Sequence, residues 1–104
     1  MKLENEKALI RTIAEGNTKS FEVLFYSYYP RLKGFICDLL QSPEEAEDIS
    51  QDIFTTLWQN RTSLDKIDNI SAYLFRIAKN AVYRHIERNM LFKNYQQKQT
   101  ESIP

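Results

Sequence analysis

The sequence predicts an all-α domain, a compact bundle of three to four helices. Three observations lead there. Two Gly and three Pro in 104 residues are too few for the turns of a hairpin-rich fold. Apolar residues recur at three- and four-residue spacing over four segments. One of those segments opens with Ser42, Pro43 and Glu45. There the serine caps the helix, proline takes the first helical position and a glutamate follows three residues after the cap.

The first segment covers roughly residues 3–15, with Ile10, Ile13 and Ala14 on one face. Gly16-Asn17 ends it, because glycine takes the left-handed conformation after a helix without strain. The second segment covers 18–40 with Thr18 as its candidate cap. Phe21, Leu24, Phe25, Leu32, Phe35, Ile36, Leu39 and Leu40 keep a helical period through it. Pro30 lies inside this pattern and removes a backbone donor, so a kink or break is expected near Tyr29. Cys37 reads as a small buried hydrophobe.

The third segment covers 42–60. Ala46, Ile49, Ile53, Phe54 and Leu57 form its apolar arc, and Glu44, Asp48, Gln51, Asp52, Thr55 and Gln59 face away. Residues 61–70 show no sustained helical period and are rich in turn formers, with Asp68 or Asn69 placed to cap the next helix. The fourth segment covers 70–92, with Leu74, Ile77, Ala78, Ala81 and Val82 toward the core. Tyr73, Arg76, Asn80, Arg84 and Glu87 make an adjoining stripe. The polar, glutamine-rich end reads as a linker or tail, so the domain is expected over 1–93 and the tail over 94–104.

Charge is sorted along this framework. The chain is neutral overall, but 41–60 hold five acidic residues and no Lys or Arg. Residues 76–104 hold six basic and two acidic residues. Local field governs which partners a surface attracts, so an acidic helix and a basic helix imply two different partners. A lone Cys37 and a lone His85 argue against a disulfide framework and against a Cys/His metal site. No run approaches the roughly 18 apolar residues of a membrane span and no signal-peptide pattern opens the chain, so a cytoplasmic protein without membrane contact is expected.

Catalysis finds little support. The carboxylates gather at one helix start, where capping and the helix dipole explain them. His85 projects toward the apolar side of its helix, as a packed, hydrogen-bonded histidine does. Two Gly cannot build a phosphate-cradling loop. A non-enzymatic protein needing no cofactor is expected.

Four blocks stand in order over roughly residues 8–92: Gly16-Asn17 with Ser20 to Phe25; Tyr28-Tyr29-Pro30-Arg31-Leu32; Ala46 to Ile49 with Gln51 to Phe54, Leu57 and Trp58; and Tyr73 to Asn80. Together they resemble region 2 of bacterial sigma factors of the extracytoplasmic-function (ECF) group. Each alone is a helical pattern, and the four in order carry the resemblance. It implies a sigma region 2 bundle that binds core RNA polymerase and recognises and melts the promoter −10 element. By position, Asp48, Ile49, Gln51, Asp52 and Thr55 would dock on the β′ coiled coil of the polymerase, with Phe54 and Trp58 nearer the packing side. Residues 61–69, with Leu64 and Asp65, would form a pocket for a flipped base of the non-template strand. Tyr73 and Phe75 would supply stacking rings, and Arg76, Lys79, Asn80, Arg84 and Arg88 would contact phosphates or base edges, with Tyr83 and Lys93 as weaker candidates.

Among these, the resemblance makes Asn80 the best base-reader candidate, since an amide both donates and accepts. Tyr73 departs from the usual Trp of the family, and Ser20 and Ser50 stand where small or aliphatic residues are usual. Family members usually continue into a second, −35-binding domain, so a fragment of a longer protein is expected. An anti-sigma factor is a further candidate partner for the acidic helix. The rival class is a helical adaptor that binds only proteins, with the basic stripe as plain solvated surface.

Overall fold

The computed structural model describes the backbone of residues 6–101 and the side chains of residues 6–91. Its elements are α1 (Glu6–Ala14), α2 (Thr18–Leu40), α3 (Pro43–Gln59), a 3-10 helix η1 (Arg61–Lys66) and α4 (Ile70–Glu101), with no strand among the described residues. The all-α expectation holds.

The α1 helix buries Ile10 and Ile13 and closes in a Schellman turn. Gly16 at φ +98° donates to Ile13 O (2.9 Å), and Asn17 N donates to Thr12 O (3.0 Å). Residues 3–5, expected in this helix, lie outside the described residues. Asn17, not Thr18, caps α2: its backbone is extended and its Oδ1 accepts from Ser20 N at 3.0 Å. Thr18 already has helical geometry, so its side chain cannot act as the cap.

Of the kink or break expected at Pro30, the break does not occur. The α2 helix runs unbroken for 23 residues, and Leu24, Tyr28, Leu32 and Ile36 are buried on both sides of the proline. An interior proline costs about 3 kcal/mol. Packing of both halves against one core offsets that cost, and Pro30 itself is exposed. Gln41 then ends the helix in the left-handed region.

Ser42 caps α3 as expected, accepting from Glu45 N at 3.2 Å. The reciprocal half of the box is replaced by a longer-range contact. The Glu45 carboxylate instead reaches His85 Nε2 on α4, at 3.1 Å. The buried face of α3 is Ala46, Ser50, Ile53, Phe54 and Leu57. Residues 61–66, expected as turns, form η1, held by Ser63 N donating to Asn60 O and Ile67 N donating to Leu64 O. Leu64 pins it, at 2 % exposure, to a core that it shares with Ile10 and Ile13 of α1.

Asn69, one of the two candidate caps, accepts from Ala72 N at 3.1 Å and opens α4. Ile70, Leu74, Ala78 and Val82 are buried at four-residue spacing, while Ile77 and Ala81 are half-buried. The helix continues past 92, where the expected fourth segment ends, to Glu101. Together α2, α3 and α4 pack into one bundle, with α1 and η1 packed on each other at its side. Cys37 is half-buried against the core.

Candidate functional site

The acidic face lies on the solvent side of α3. Asp48, Gln51, Asp52 and Thr55 are exposed, and Ile49 is half-buried beside them. Helical spacing dictates this: Ala46, Ser50, Ile53 and Leu57 turn inward, so the residues between them turn out. Gln51 Nε2 donates to Glu47 Oε1 at 3.3 Å. Among the described residues no Lys or Arg forms an ion pair with Asp48 or Asp52, which leaves both carboxylates available to a cationic partner.

An aromatic groove of about 540 Å³ borders this face. Phe21 and Phe25 of α2 and Phe54 and Trp58 of α3 line it, together with Gln51 and Thr55. The rings pack on one another, Phe21 to Trp58 at 5.1 Å and Phe25 to Phe54 at 5.1 Å between centroids. Phe54 and Trp58 are on the packing side, as expected. The share of α2 in this groove was missed, although Phe21 and Phe25 stand one helical turn apart and both are aromatic.

A larger cleft, about 920 Å³, opens between α3, η1 and α4. It collects Tyr73, Arg76, Arg84 and Arg88 of the expected nucleic-acid set, together with Lys66 from η1. Leu64 also borders it, and its buried side chain anchors η1. Asp65, Lys79 and Asn80 are exposed and do not line the cleft. Lys79 follows Tyr73 by six positions, which sets it about one-third of a turn away around the helix, and its Nζ lies 5.8 Å from the Tyr83 ring.

Phe75 is also separated from the cleft. It is half-buried on the α2 side, edge-on to Phe35 at 5.4 Å, with the Arg31 guanidinium 5.7 Å from its ring. Tyr73 is therefore the ring of that pair that the cleft contains, and Arg76 lies 5.7 Å over it. Two residues of the acidic set, Ile49 and Asp52, also reach the cleft, so the two surfaces meet along one edge of α3. The side chain of Lys93 lies outside the described residues.

Contacts from α1 and α3 brace the cleft. Arg61 stacks on Trp58 with its guanidinium 4.4 Å from the ring, and its Nη1 donates to Trp58 O at 3.1 Å. Glu6 Oε1 accepts from Ile70 N at 3.1 Å. His85, 20 % exposed at its side chain, lies 3.1 Å from Glu45 and 3.3 Å from Asn89, a structural link between α3 and α4. Burial and the nearby Glu6 carboxylate push the Tyr28 phenol above its usual 10.0.

The Sigma-70 region 2 family model matches residues 24–91. The chain is 31% identical over 75 residues to the ECF RNA polymerase sigma factor RpoE of Cereibacter sphaeroides, covering 70% of this chain and 41% of that protein. It is 23% identical over 83 residues to the RNA polymerase sigma-H factor of Pseudomonas aeruginosa, covering 80% of this chain and 43% of that protein. The chain thus spans less than half the length of either relative. The family match includes α3, η1 and the described part of α4 that forms the cleft, and by that match this chain belongs to the Sigma-70 region 2 family.

Proposed function

We propose that this chain binds core RNA polymerase through the exposed face of α3 and holds the non-template strand of the promoter −10 element in the cleft between η1 and α4. Asp48, Ile49, Gln51, Asp52 and Thr55 meet the β′ coiled coil, and the neighbouring aromatic groove gives that contact apolar area. Charge complementarity there supplies speed and register more than raw affinity. Tyr73 offers a stacking surface, Arg76, Arg84 and Arg88 meet phosphates, and Asn80 reads a base edge from outside the cleft. Asp65 and Lys79 are peripheral contacts on this reading. Strand opening draws on binding of the separated bases and phosphates, so no cofactor is required.

The observation that carries the proposal is the juxtaposition of an unpaired acidic face and an arginine-lined cleft along the two sides of α3. The same face would suit an anti-sigma factor. No helix among the described residues is long and apolar enough to cross a membrane, in keeping with a cytoplasmic role in transcription initiation.

The test uses core polymerase, a labelled −10-like single strand and the full chain. A ternary complex at low salt that weakens steeply with added salt is expected. Its absence would favour the protein-only adaptor. Asp52→Arg is expected to reduce capture of polymerase with no change in the circular dichroism of the chain. Equal capture of variant and parent would sink the docking assignment.

A further inference from the structure

We infer that Glu6 is a positioning residue for the nucleic-acid cleft, fixing the first turn of α4 and with it Tyr73 and Arg76. The inference rests on the reading that the cleft takes DNA. It concerns α1, which lies before residues 24–91 that the family model matches.

The first turn of α4 has four backbone N–H groups without partners inside the helix. Asn69 supplies one cap locally, its Oδ1 accepting from Ala72 N, and Asn69 O accepts from Tyr73 N. Ile70 N points elsewhere. It donates to Glu6 Oε1 at 3.1 Å, across 64 positions of sequence. Ile70 is fully buried, so without Glu6 this amide loses the one hydrogen-bond partner it has among the described residues. A carboxylate also suits the positive end of a helix dipole.

The rest of α1 acts on the same segment. Ile10 and Ile13 share a core with Leu64, the buried residue of η1. At the far end of α1, Gly16 lies against Arg61, the first residue of η1, and Arg61 is stacked on Trp58. Thus α1 and the turn that closes it reach the segment 61–70 at its start, its middle and its end. Glu6 is the polar contact of the three that ends on α4 itself, three residues before Tyr73.

A merely stabilising Glu6 and a positioning Glu6 differ in what they move. Positioning affects DNA binding in a protein that is still folded, and spares the α3 face. The experiment compares parent, Glu6→Ala and Glu6→Gln at a temperature where circular dichroism shows all three folded. Binding of a labelled −10-like single strand is read by anisotropy with core polymerase present. Polymerase capture and amide hydrogen exchange at Ile70–Tyr73 are read alongside.

Glu6→Ala is expected to weaken DNA binding about tenfold, the scale of one lost hydrogen bond to a charged group. It should also speed exchange at Ile70 and leave polymerase capture unchanged. Glu6→Gln keeps an acceptor oxygen and should recover DNA affinity to within about threefold. Parent-like DNA affinity in Glu6→Ala overturns the inference, as does equal loss in both variants, or joint loss of DNA and polymerase binding. If the parent itself binds no DNA, the function reading fails and the positioning role falls with it. In that case faster exchange at Ile70 in Glu6→Ala would still identify the cap.

Discussion

Replacing Ser50 by alanine should stabilise this domain. Ser50 is fully buried on the inner face of α3, and its Oγ has no hydrogen-bond partner among the described residues. An unpaired buried hydroxyl costs about 1–3 kcal/mol relative to its hydration in the unfolded chain. Alanine removes that cost and adds a few tenths of a kcal/mol of helix propensity. Against this stands the loss of packing by a single oxygen atom. The net expectation is a gain of about 1 kcal/mol, which raises the melting temperature of a domain this size by about 4–8 °C. The assay is urea and thermal denaturation followed by circular dichroism, with an unchanged denaturant slope showing that the same surface is exposed. Polymerase capture should not change, because Asp48, Gln51 and Asp52 lie on the opposite face. Ser50→Leu is the counter-test, since overpacking the same site should cost about 1–3 kcal/mol. A loss of more than about 1 kcal/mol in Ser50→Ala would refute the reasoning, showing that the hydroxyl is satisfied, for example by a buried water.

Tyr28→Phe removes the other buried hydroxyl that lacks a well-formed hydrogen bond among the described residues and should be neutral or stabilising by up to about 1 kcal/mol at pH 7. The raised Tyr28 phenol also gives a pH signature. Its stability contribution is complete below the unfolded value of 10.0 and is lost as pH rises through the folded value, so the advantage of Tyr28→Phe over the parent should widen above about pH 10 in urea melts. A difference that stays constant with pH would count against a raised phenol. Asn80→Ala should relax the preference for one −10 sequence over another, whereas Arg88→Ala should weaken binding evenly and lower the salt slope by about one. Unchanged preference in Asn80→Ala would remove its reader role.

Much of the fold was legible because it is written locally. Four stretches with a 3.6-residue period became α1 to α4, and the Ser42-Pro43 start and the Gly16 stop both hold. What stayed hidden depends on partners distant in sequence. Pro30 breaks nothing because the buried residues on both sides of it pack on other helices. The η1 segment has too few residues for a period, and Leu64 finds its place only when α1 packs on it. Glu45 satisfies the local rule for a capping box, yet its carboxylate goes to His85, 40 positions away. The site follows the same division. The acidic face was readable from a helical wheel, because one face of α3 holds it entirely. The basic set was only partly readable: a wheel orders residues around α4 but does not say which side η1 and α3 will cover. Packing gave Tyr73 to the cleft and Phe75 to Phe35.

Asp52 belongs to both surfaces, and that has a consequence for how they act together. Asp52 is exposed on the acidic face and also lines the cleft that holds Arg76, Arg84 and Arg88. It forms no ion pair with those arginines, and on the proposed reading its charge opposes the approach of a phosphate in the free chain. A cationic partner docked on α3 would neutralise it and leave the cleft more attractive to a polyanion. DNA binding would then be favoured by polymerase binding through a shared charge, with no conformational change needed. The perturbation that isolates this effect is Asp52→Asn, which removes the charge and keeps the shape. In the absence of polymerase and at low salt, it should tighten binding of a −10-like single strand about twofold to threefold, an effect that fades as the screening length shrinks with added salt. The same substitution should weaken capture of the polymerase. Anisotropy titrations of parent and variant across salt concentrations give the first quantity, and pull-downs give the second. If Asp52→Asn leaves free-chain DNA affinity unchanged at low salt, Asp52 acts on one surface alone and the two interfaces are electrostatically independent.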